Sequence, residues 1–195
     1  MNKQKIIKEL KSWGIIVSVF GVLYFTGLHV EVFGFIQRLT LATGLRNADA
    51  DTEERGRYGS TDYKWMLQDY TTGEKVNLEE FKGKTVFLNV WATWCPPCVA
   101  EMPSIEGLYQ KLKDNEDIVF VMLSVDEKPE NVGEFMKRKK FTFPVYQEIT
   151  STPSVFQTRS IPTTFVFDKN GEIIFKHTGI ANYDTEDFVK MLTSH

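Results

Sequence analysis

The feature that most constrains this chain is a Cys-x-x-Cys motif that directly follows an apolar run. Cys95 and Cys98 are the only cysteines in the 195-residue sequence. The run 85–91 before them is nearly continuous in apolar residues, and apolar positions recur every three to four residues over 102–112. This order predicts a strand buried on both faces, then a turn, then a helix that begins at the cysteines. Two thiols placed there can form a small disulfide ring that exchanges electrons with another protein's disulfide.

The position of the motif predicts different roles for the two sulfurs. A helix N-terminus offers unpaired N–H groups and a partial positive charge, which favour the thiolate of the first, exposed cysteine. We therefore expect Cys95 to attack the substrate disulfide and Cys98 to resolve the mixed disulfide. Pro96 and Pro97 suit the first helical turn, but they remove two N–H donors from Cys95. Activation of Cys95 should therefore be moderate, with a pKa not below about 4.

Two other uses of this spacing have to be weighed. Zinc sites also use Cys-x-x-Cys, but structural zinc takes four ligands, and the chain adds only His29, His177 and His195 as further nitrogen donors. A purely structural disulfide is the second alternative. The strand–helix–strand setting favours redox chemistry, so we expect no metal and no cofactor other than the redox-active disulfide.

The rest of the domain reads as a mixed α/β unit. A second apolar run, 118–125, follows the helix and completes a βαβ unit, and a clear hairpin turns at 168–171. Residues 46–195 carry a net charge of −6, because residues 1–45 carry +3 and the whole chain carries −3. An acidic domain without a basic stripe argues against nucleic-acid binding. Strands are expected at 63–70, 75–78, 85–91, 118–125, 144–146, 163–167 and 172–176, and helices after the cysteines, at 129–140 and at 183–193.

The N-terminal segment predicts a membrane anchor. Four lysines within residues 1–12 precede an uncharged apolar run, 13–30, which is about as long as a bilayer's hydrocarbon core is thick. We expect a cytoplasmic N-terminus (1–12), one transmembrane helix (13–36), a linker (37–62) and an extracytoplasmic domain (63–195). A cleaved signal peptide and a buried core helix are the alternatives.

Two stretches then carry a family resemblance. Residues 86–103, with the cysteines, and 161–165, Ile-Pro-Thr-Thr-Phe, resemble the two signatures of membrane-anchored, thioredoxin-like proteins of the TlpA/ResA type. The resemblance implies a thioredoxin fold, with a central mixed sheet flanked by helices and an N-terminal β-hairpin extension. It also implies a cis Ile161–Pro162 bond facing the cysteines, which leaves the backbone open to pair with a substrate strand. The residues expected to contact substrate are Trp94, Pro96, Pro97, Ile161 and Pro162.

Glu101 is the third candidate catalytic residue. Cytosolic thioredoxins place an aspartate beneath the second cysteine, where this chain has Asn89, which cannot carry a proton. In the extracytoplasmic branch of the resemblance, a glutamate three residues after the second cysteine enters the active site, and here that residue is Glu101. We expect it to take the proton from Cys98 during resolution. The simpler alternative is an acidic residue that stabilises the first helical turn.

The sequence therefore predicts a membrane-bound thiol-disulfide oxidoreductase that works outside the cytoplasmic membrane. The resemblance favours a reductase of oxidised protein substrates, fed by a membrane thiol electron donor, with cytochrome c maturation as the leading role. A thioredoxin-fold peroxidase is an alternative, although Ala92 stands where its threonine belongs. A copper-binding redox carrier is another, although such carriers have a wider gap between their cysteines.

Overall fold

The protein is a single mixed sheet with helices, preceded by two further helices. A computed structural model describes residues 3–26, 28–42, 48, 61 and 63–194. The helices in these ranges are α1 (Lys3–Phe25), α2 (Leu28–Ala42), α3 (Pro96–Leu112), α4 (Pro129–Lys139) and α5 (Glu186–Thr193). The strands are β1 (Met66–Asp69), β2 (Lys75–Asn77), β3 (Thr85–Trp91), β4 (Ile118–Ser124), β5 (Val145–Glu148), β6 (Thr163–Phe167) and β7 (Ile173–Thr178).

The seven strands form one sheet in the order β2-β1-β5-β4-β3-β6-β7. The two apolar runs occupy its centre, where β3 and β4 pair in parallel through the helical crossover α3. β6 and β7 form the predicted antiparallel hairpin beside β3. β1 and β2 form the expected N-terminal hairpin extension, which adds to the sheet through β5. The mixed thioredoxin-like sheet is therefore confirmed.

Two elements are shorter than the sequence predicts. The strand expected at 63–70 begins only at Met66, because Tyr63 has a positive φ of 55° and the Trp65 N–H bonds back to its carbonyl. The last helix begins at Glu186 rather than at Tyr183, because Thr185 caps it through its bond from the Phe188 N–H. The Tyr183 N–H instead donates to the Ser104 hydroxyl, which ties this segment to α3.

The pleat of β3 separates two apolar clusters. Phe87 and Trp91 point to one side, where they meet the buried faces of α3, α4 and α5. Val86, Leu88 and Val90 point to the other side, which is covered by loop residues such as Trp65 and Phe156. Among the described residues, the domain's helices therefore lie against one face of the sheet, and 3-10 turns and loops cover the second face.

The N-terminal segment differs from the single transmembrane helix expected at 13–36. α1 ends at Phe25, and α2 starts at Leu28 in a new direction. In the described part of the chain, no helix alone has the length and apolar character needed to cross a membrane; 13–25 and 28–37 meet these criteria only together, with a bend of 98° between them. Thr26 lies at the break, and its hydroxyl donates back to the carbonyl of Val22.

The segment expected to be a linker, 37–62, is helical at its start. α2 continues to Ala42, and Leu41 is buried in a small cluster with Ala100 and Ile180. Further on, Ala48 is buried and its N–H donates to the carbonyl of Asn182. Residues 43–47, 49–60 and 62, where most of the predicted linker falls, lie outside the described residues.

Candidate active site

The strand β3 delivers the first cysteine to the carboxyl end of the sheet. All seven residues of β3 are buried, and the chain turns after Trp91 so that Cys95 caps the N-terminus of α3. Pro96 and Pro97 fill the first helical positions, where their missing N–H groups leave nothing unpaired. The Cys98 N–H then donates to the Cys95 sulfur at 3.3 Å. Pro96 and Pro97 cannot form such a bond, because they lack N–H groups, as the sequence predicts.

Cys95 and Cys98 are joined in a disulfide. The expectation that Cys95 is exposed is wrong for this oxidised form, in which only 4% of the residue is accessible and Cys98 is fully buried. The cause is that the Cys95 sulfur is tied to Cys98 and lies 3.9 Å from the carbonyl oxygen of Ile161. Cys95 is nevertheless the outer of the two, as its role as nucleophile requires.

The loop opposite the disulfide is the one that the sequence singled out. The Ile161–Pro162 peptide bond is cis, as predicted. Pro162 is buried, and Ile161 is half-buried beside Cys95. The Ile161 carbonyl therefore borders the reacting sulfur from the side opposite α3.

A groove of about 700 Å³ begins next to this loop. Trp94, which is 58% exposed, and Ile161 both line it, so two of the residues expected to bind substrate share one surface. Pro96, Pro97 and Pro162 do not line the groove. The sequence did not single out the other lining residues, which are Val90, Leu123, Val125, Glu148, Thr152, Ser154, Phe156, Gln157, Thr158, Arg159 and Ser160.

Glu101 lies one helical turn after Cys98 on α3 and is fully buried. Its carboxylate accepts hydrogen bonds from the Asn89 amide at 2.8 Å and from the Ala181 N–H at 3.2 Å. Burial raises the pKa of Glu101 from 4.5 to about 8, although both hydrogen bonds lower it. A carboxyl with that pKa is mostly protonated at neutral pH, and its ionised fraction is a base well matched to a thiol, whose ordinary pKa is about 8.5. That ionised fraction is the form that can take the proton from Cys98, as the expected role requires.

Glu101 and Asn89 form a buried hydrogen-bonded cluster. Two residues that the sequence did not single out, Thr164 and Tyr183, extend this cluster across the sheet. The Asn89 amide donates a second hydrogen bond to the Thr164 hydroxyl at 2.8 Å, and the Tyr183 hydroxyl donates to the same oxygen at 2.7 Å. Burial raises the pKa of Tyr183 well above 10, so that it remains a donor. Asn89 is thereby held by β6 while it faces Glu101. The signal in the sequence for Thr164 was a pair of threonines at the start of an otherwise apolar strand.

A third missed residue, Asp126, fixes the turn before Cys95. It follows β4, and its carboxylate accepts from the Thr93 N–H at 2.9 Å, from the Thr93 hydroxyl at 2.5 Å and from the Ser124 hydroxyl at 2.9 Å. These bonds join the loop after β3 to the end of β4. An acid directly after a buried strand was the available signal, because the carboxyl ends of parallel strands lie together.

Metal ligands do not gather within the described ranges. No group of three or more His, Cys, Asp or Glu side chains there could hold a metal ion. The chemistry available at this site is that of the disulfide, the buried carboxyl and the open groove.

Comparison with known proteins agrees with this geometry. Residues 55–192 match the family model described as Redoxin. The chain is 36% identical over 146 residues to the thiol-disulfide oxidoreductase ResA of Bacillus thuringiensis subsp. konkukian, covering 72% of this chain and 82% of the relative. It is 33% identical over 138 residues to ResA of Halalkalibacterium halodurans, covering 70% and 77%.

A solved structure gives the same result for the fold. The chain superposes with a TM-score of 0.59 and 26% identity on a putative thiol:disulfide interchange protein DsbE from Chlorobium tepidum, covering 70% of this chain and 96% of that one. The Cys95–Cys98 disulfide at the start of α3 fits the thiol-disulfide chemistry in the names of these relatives. The chain belongs to the Redoxin family, and it is a thiol-disulfide oxidoreductase of the ResA/TlpA type.

Proposed function

We propose that this oxidoreductase is a membrane-anchored reductase of protein disulfides that acts on the outer side of the cytoplasmic membrane. The observation that carries the exchange chemistry is the disulfide itself, which lies between the N-terminus of α3 and the Ile161 carbonyl, next to two residues, Trp94 and Ile161, that line the groove. A substrate segment in that groove brings its own disulfide to Cys95. The Cys95 thiolate attacks one substrate sulfur, the other substrate sulfur leaves as a thiolate, and Cys98 then releases the reduced substrate.

The donors around Cys95 favour the reducing direction. A strongly oxidising Cys-x-x-Cys pair has a highly stabilised thiolate in its reduced form. Here Pro96 and Pro97 lack N–H groups, and the Cys98 N–H is the backbone donor recorded at the Cys95 sulfur. The carboxyl of Glu101, buried one turn further along α3, adds no positive charge. Modest stabilisation of the thiolate makes the disulfide less easily reduced, and the dithiol form a better reductant.

The N-terminal segment supports the proposed location. Large apolar side chains are exposed along α1, including Trp13, Ile15, Val17 and Phe25. Lysines at positions 3, 5, 8 and 11 precede them, which favours a cytoplasmic N-terminus. The domain then lies on the outer side, its electrons come from a membrane thiol donor, and its leading substrate is the oxidised Cys-x-x-Cys-His motif of an apocytochrome c before haem attachment.

Trapping of the mixed disulfide tests this function. Cys98→Ser, expressed in its native membrane, should accumulate covalent adducts on Cys95 that vanish in Cys95→Ser. Mass spectrometry of the adducts names the substrates, and an apocytochrome among them supports the maturation role. Absence of adducts from a folded protein with a reactive Cys95 contradicts the exchange function.

A redox titration tests the direction. Equilibration of the purified protein with glutathione or dithiothreitol buffers should give a potential below about −200 mV, in the range of reductants. A potential near that of a strong oxidant, about −120 mV, would show that the enzyme forms disulfides rather than reducing them.

A further inference from the structure

The helix α2 has a packed face and an exposed apolar face, which point in opposite directions. Val30, Gly34, Gln37 and Leu41 follow one stripe with i, i+4, i+7 and i+11 spacing, and all four are buried or half-buried. At 100° per residue, the stripe formed by positions 28, 32, 35, 36 and 39 is centred on the opposite side of the helix. The large apolar residues of that second stripe are all exposed: Leu28, Val32, Phe35, Ile36 and Leu39.

The first face is bound to the active-site helix. A Cβ placed on Gly34 would lie 3.4 Å from the Pro96 carbonyl oxygen and 3.4 Å from Val99 Cγ1, so the two helices are already in van der Waals contact here and a side chain longer than alanine would meet α3. Further along α2, Leu41 packs with Ala100 and Ile180. The contact at Pro96 is one residue from Cys95. The helix α2 is therefore docked beside the catalytic disulfide.

Exposed apolar residues are concentrated on α1 and on the second face of α2. Within residues 63–194, the only exposed large hydrophobic residues are Trp94, Val125 and Ile149, and the first two line the groove. All others in the described chain lie on α1 and α2. The exposed apolar residues of α1 extend to Phe25 and those of α2 begin at Leu28, and the two helices meet at 98°. A helix that is packed on one side and still exposes an apolar face on the other requires a second apolar environment for that face.

We propose that α2 lies along the outer surface of the membrane, with its second face in the lipid and its first face on α3. The near-perpendicular bend is the geometry of a helix that leaves the bilayer and then lies in its interface. This proposal rests on the membrane location proposed above and makes it more specific. α2 becomes a spacer one helix thick between the lipid and the active-site helix, so the disulfide is held roughly 10 Å from the bilayer surface.

The spacer restricts the electron donor. A thiol that reduces the Cys95–Cys98 disulfide has to reach it at that distance from the bilayer surface, because α3 cannot move away from the membrane without losing its contact with α2. The donor therefore presents its thiols close to the outer headgroup layer, as a protein embedded in the same membrane can. A partner soluble in the outer compartment approaches through the groove beside Trp94.

Quenching of site-specific labels by lipid tests whether the second face of α2 lies in the membrane. The full chain carrying Cys95→Ser and Cys98→Ser receives one cysteine at Ile36, at Ile16 or at Asn170, each labelled with an environment-sensitive fluorophore. The probe is a vesicle of phosphatidylcholine and phosphatidylglycerol containing shallow doxyl-labelled lipid. The labels at 16 and 36 should lose at least about half of their fluorescence, and the label at 170, in the turn at the far end of the sheet, should lose almost none.

The outcomes separate the two proposals. Quenching at 16 without quenching at 36 overturns the interfacial placement of α2 and leaves the membrane location standing, as would happen if a second copy of the chain covered this face. Quenching at neither position overturns both. Thermal unfolding of each labelled chain, compared with the unlabelled chain, confirms that the fold is retained.

A substitution at Gly34 tests whether the first face of α2 is docked on α3, and the same substitution at Gly14 is the matched control. Gly34→Leu drives a side chain into the Pro96 carbonyl and Val99, whereas a Cβ at Gly14 meets no atom within 4 Å. In vesicles, the fluorescence anisotropy of the label at 170 should fall in Gly34→Leu, because the domain then rotates on its tether, and should stay unchanged in Gly14→Leu. Equal anisotropy in the two variants overturns the docking of α2 on α3.

Discussion

Two acidic residues lie buried at the active-site end of the sheet, and their surroundings give them different roles. Asp126 accepts one backbone and two hydroxyl hydrogen bonds from Thr93 and Ser124. Glu101 is more deeply buried and accepts from the Asn89 amide and the Ala181 N–H. Asp126 is thus part of the frame that holds the turn before Cys95. Glu101 carries a pKa raised to about 8 by burial, within reach of a thiol's own pKa.

The comparison shows that burial alone does not decide what a carboxyl does. Short bonds from a rigid turn fix Asp126 as an acceptor, and its loss would release the turn. The two donors to Glu101 only partly offset the cost of removing its charge from water, so that its pKa stays raised to about 8, close to that of a thiol. The following changes separate a structural acid from a proton-exchanging one.

The largest expected effect is on the pH dependence of stability. The pKa of Glu101 is about 8 in the folded protein and 4.5 in the unfolded chain. The contribution of Glu101 to the free energy of unfolding is therefore complete below pH 4.5 and is lost as the pH rises to about 8. The free energy of unfolding should fall by on the order of 5 kcal/mol over that window. Denaturant titrations of the oxidised protein measure this fall. In Glu101→Gln the fall should be largely absent, and equal slopes in both proteins would contradict the raised pKa.

Removal of the other acid should cost less and should not depend on pH in this way. Asp126→Ala leaves the Thr93 N–H, the Thr93 hydroxyl and the Ser124 hydroxyl without their acceptor, which should destabilise the fold by about 3 kcal/mol. Asp126→Asn retains an acceptor oxygen and should lose less. Chemical denaturation gives both values. If Asp126→Ala removed the fall in stability between pH 4.5 and 8, the division of roles between the two acids would be reversed.

Of the acidic residues compared, only Glu101 should affect the rate of disulfide exchange through proton transfer. Glu101→Gln cannot accept the proton from Cys98, so disulfide exchange near pH 7 should slow by at least about tenfold. Stopped-flow reduction of a peptide disulfide by the pre-reduced enzyme measures the rate. Glu106→Gln, one and a half turns further along α3, is the matched control and should leave the rate unchanged. Equal rates for the two variants, with the fold retained, would reject Glu101 as the proton acceptor.

The smallest expected effect is at the far end of the Glu101 cluster. Tyr183→Phe removes one buried hydrogen bond to Thr164, while the Asn89 amide keeps its own bonds. Stability should fall by about 1 kcal/mol. The midpoint of the exchange rate against pH should move by less than about half a unit, because the direct donors to Glu101 remain. A larger shift in the midpoint would show that Tyr183 positions Asn89 for the reaction.

Local patterns predicted the parts of the molecule that local forces determine. The apolar runs placed β3 and β4, and the helical spacing placed α3. The cis bond at Ile161–Pro162 was implied by the family resemblance. The pair Cys95–Cys98 identified the chemistry. Glu101 came from the family resemblance, because no spacing rule shows that a helical glutamate is buried.

The missed features depend on contacts between distant segments. Thr164 and Tyr183 reach Asn89 only after β6 pairs with β3 and the C-terminal segment packs on α3. Asp126 reaches Thr93 only because β3 and β4 are parallel neighbours. In the N-terminal segment, hydropathy measures how apolar a window is but not where its helix breaks, so 13–36 was predicted as one helix. The weak helix formers at 26 and 27 were the available signal of the break.

The small cluster of Leu41, Ala100 and Ile180 bears on how this enzyme should be produced for study. A shortened form that starts at residue 63 would lose Leu41 and Gly34 and would present Val99, Ala100 and Ile180 to water. That newly wetted patch lies beside the disulfide, so such a fragment would tend to self-associate there and to offer reagents a second route to the sulfurs. Rates and solubilities measured on it would describe a surface that the intact chain keeps covered.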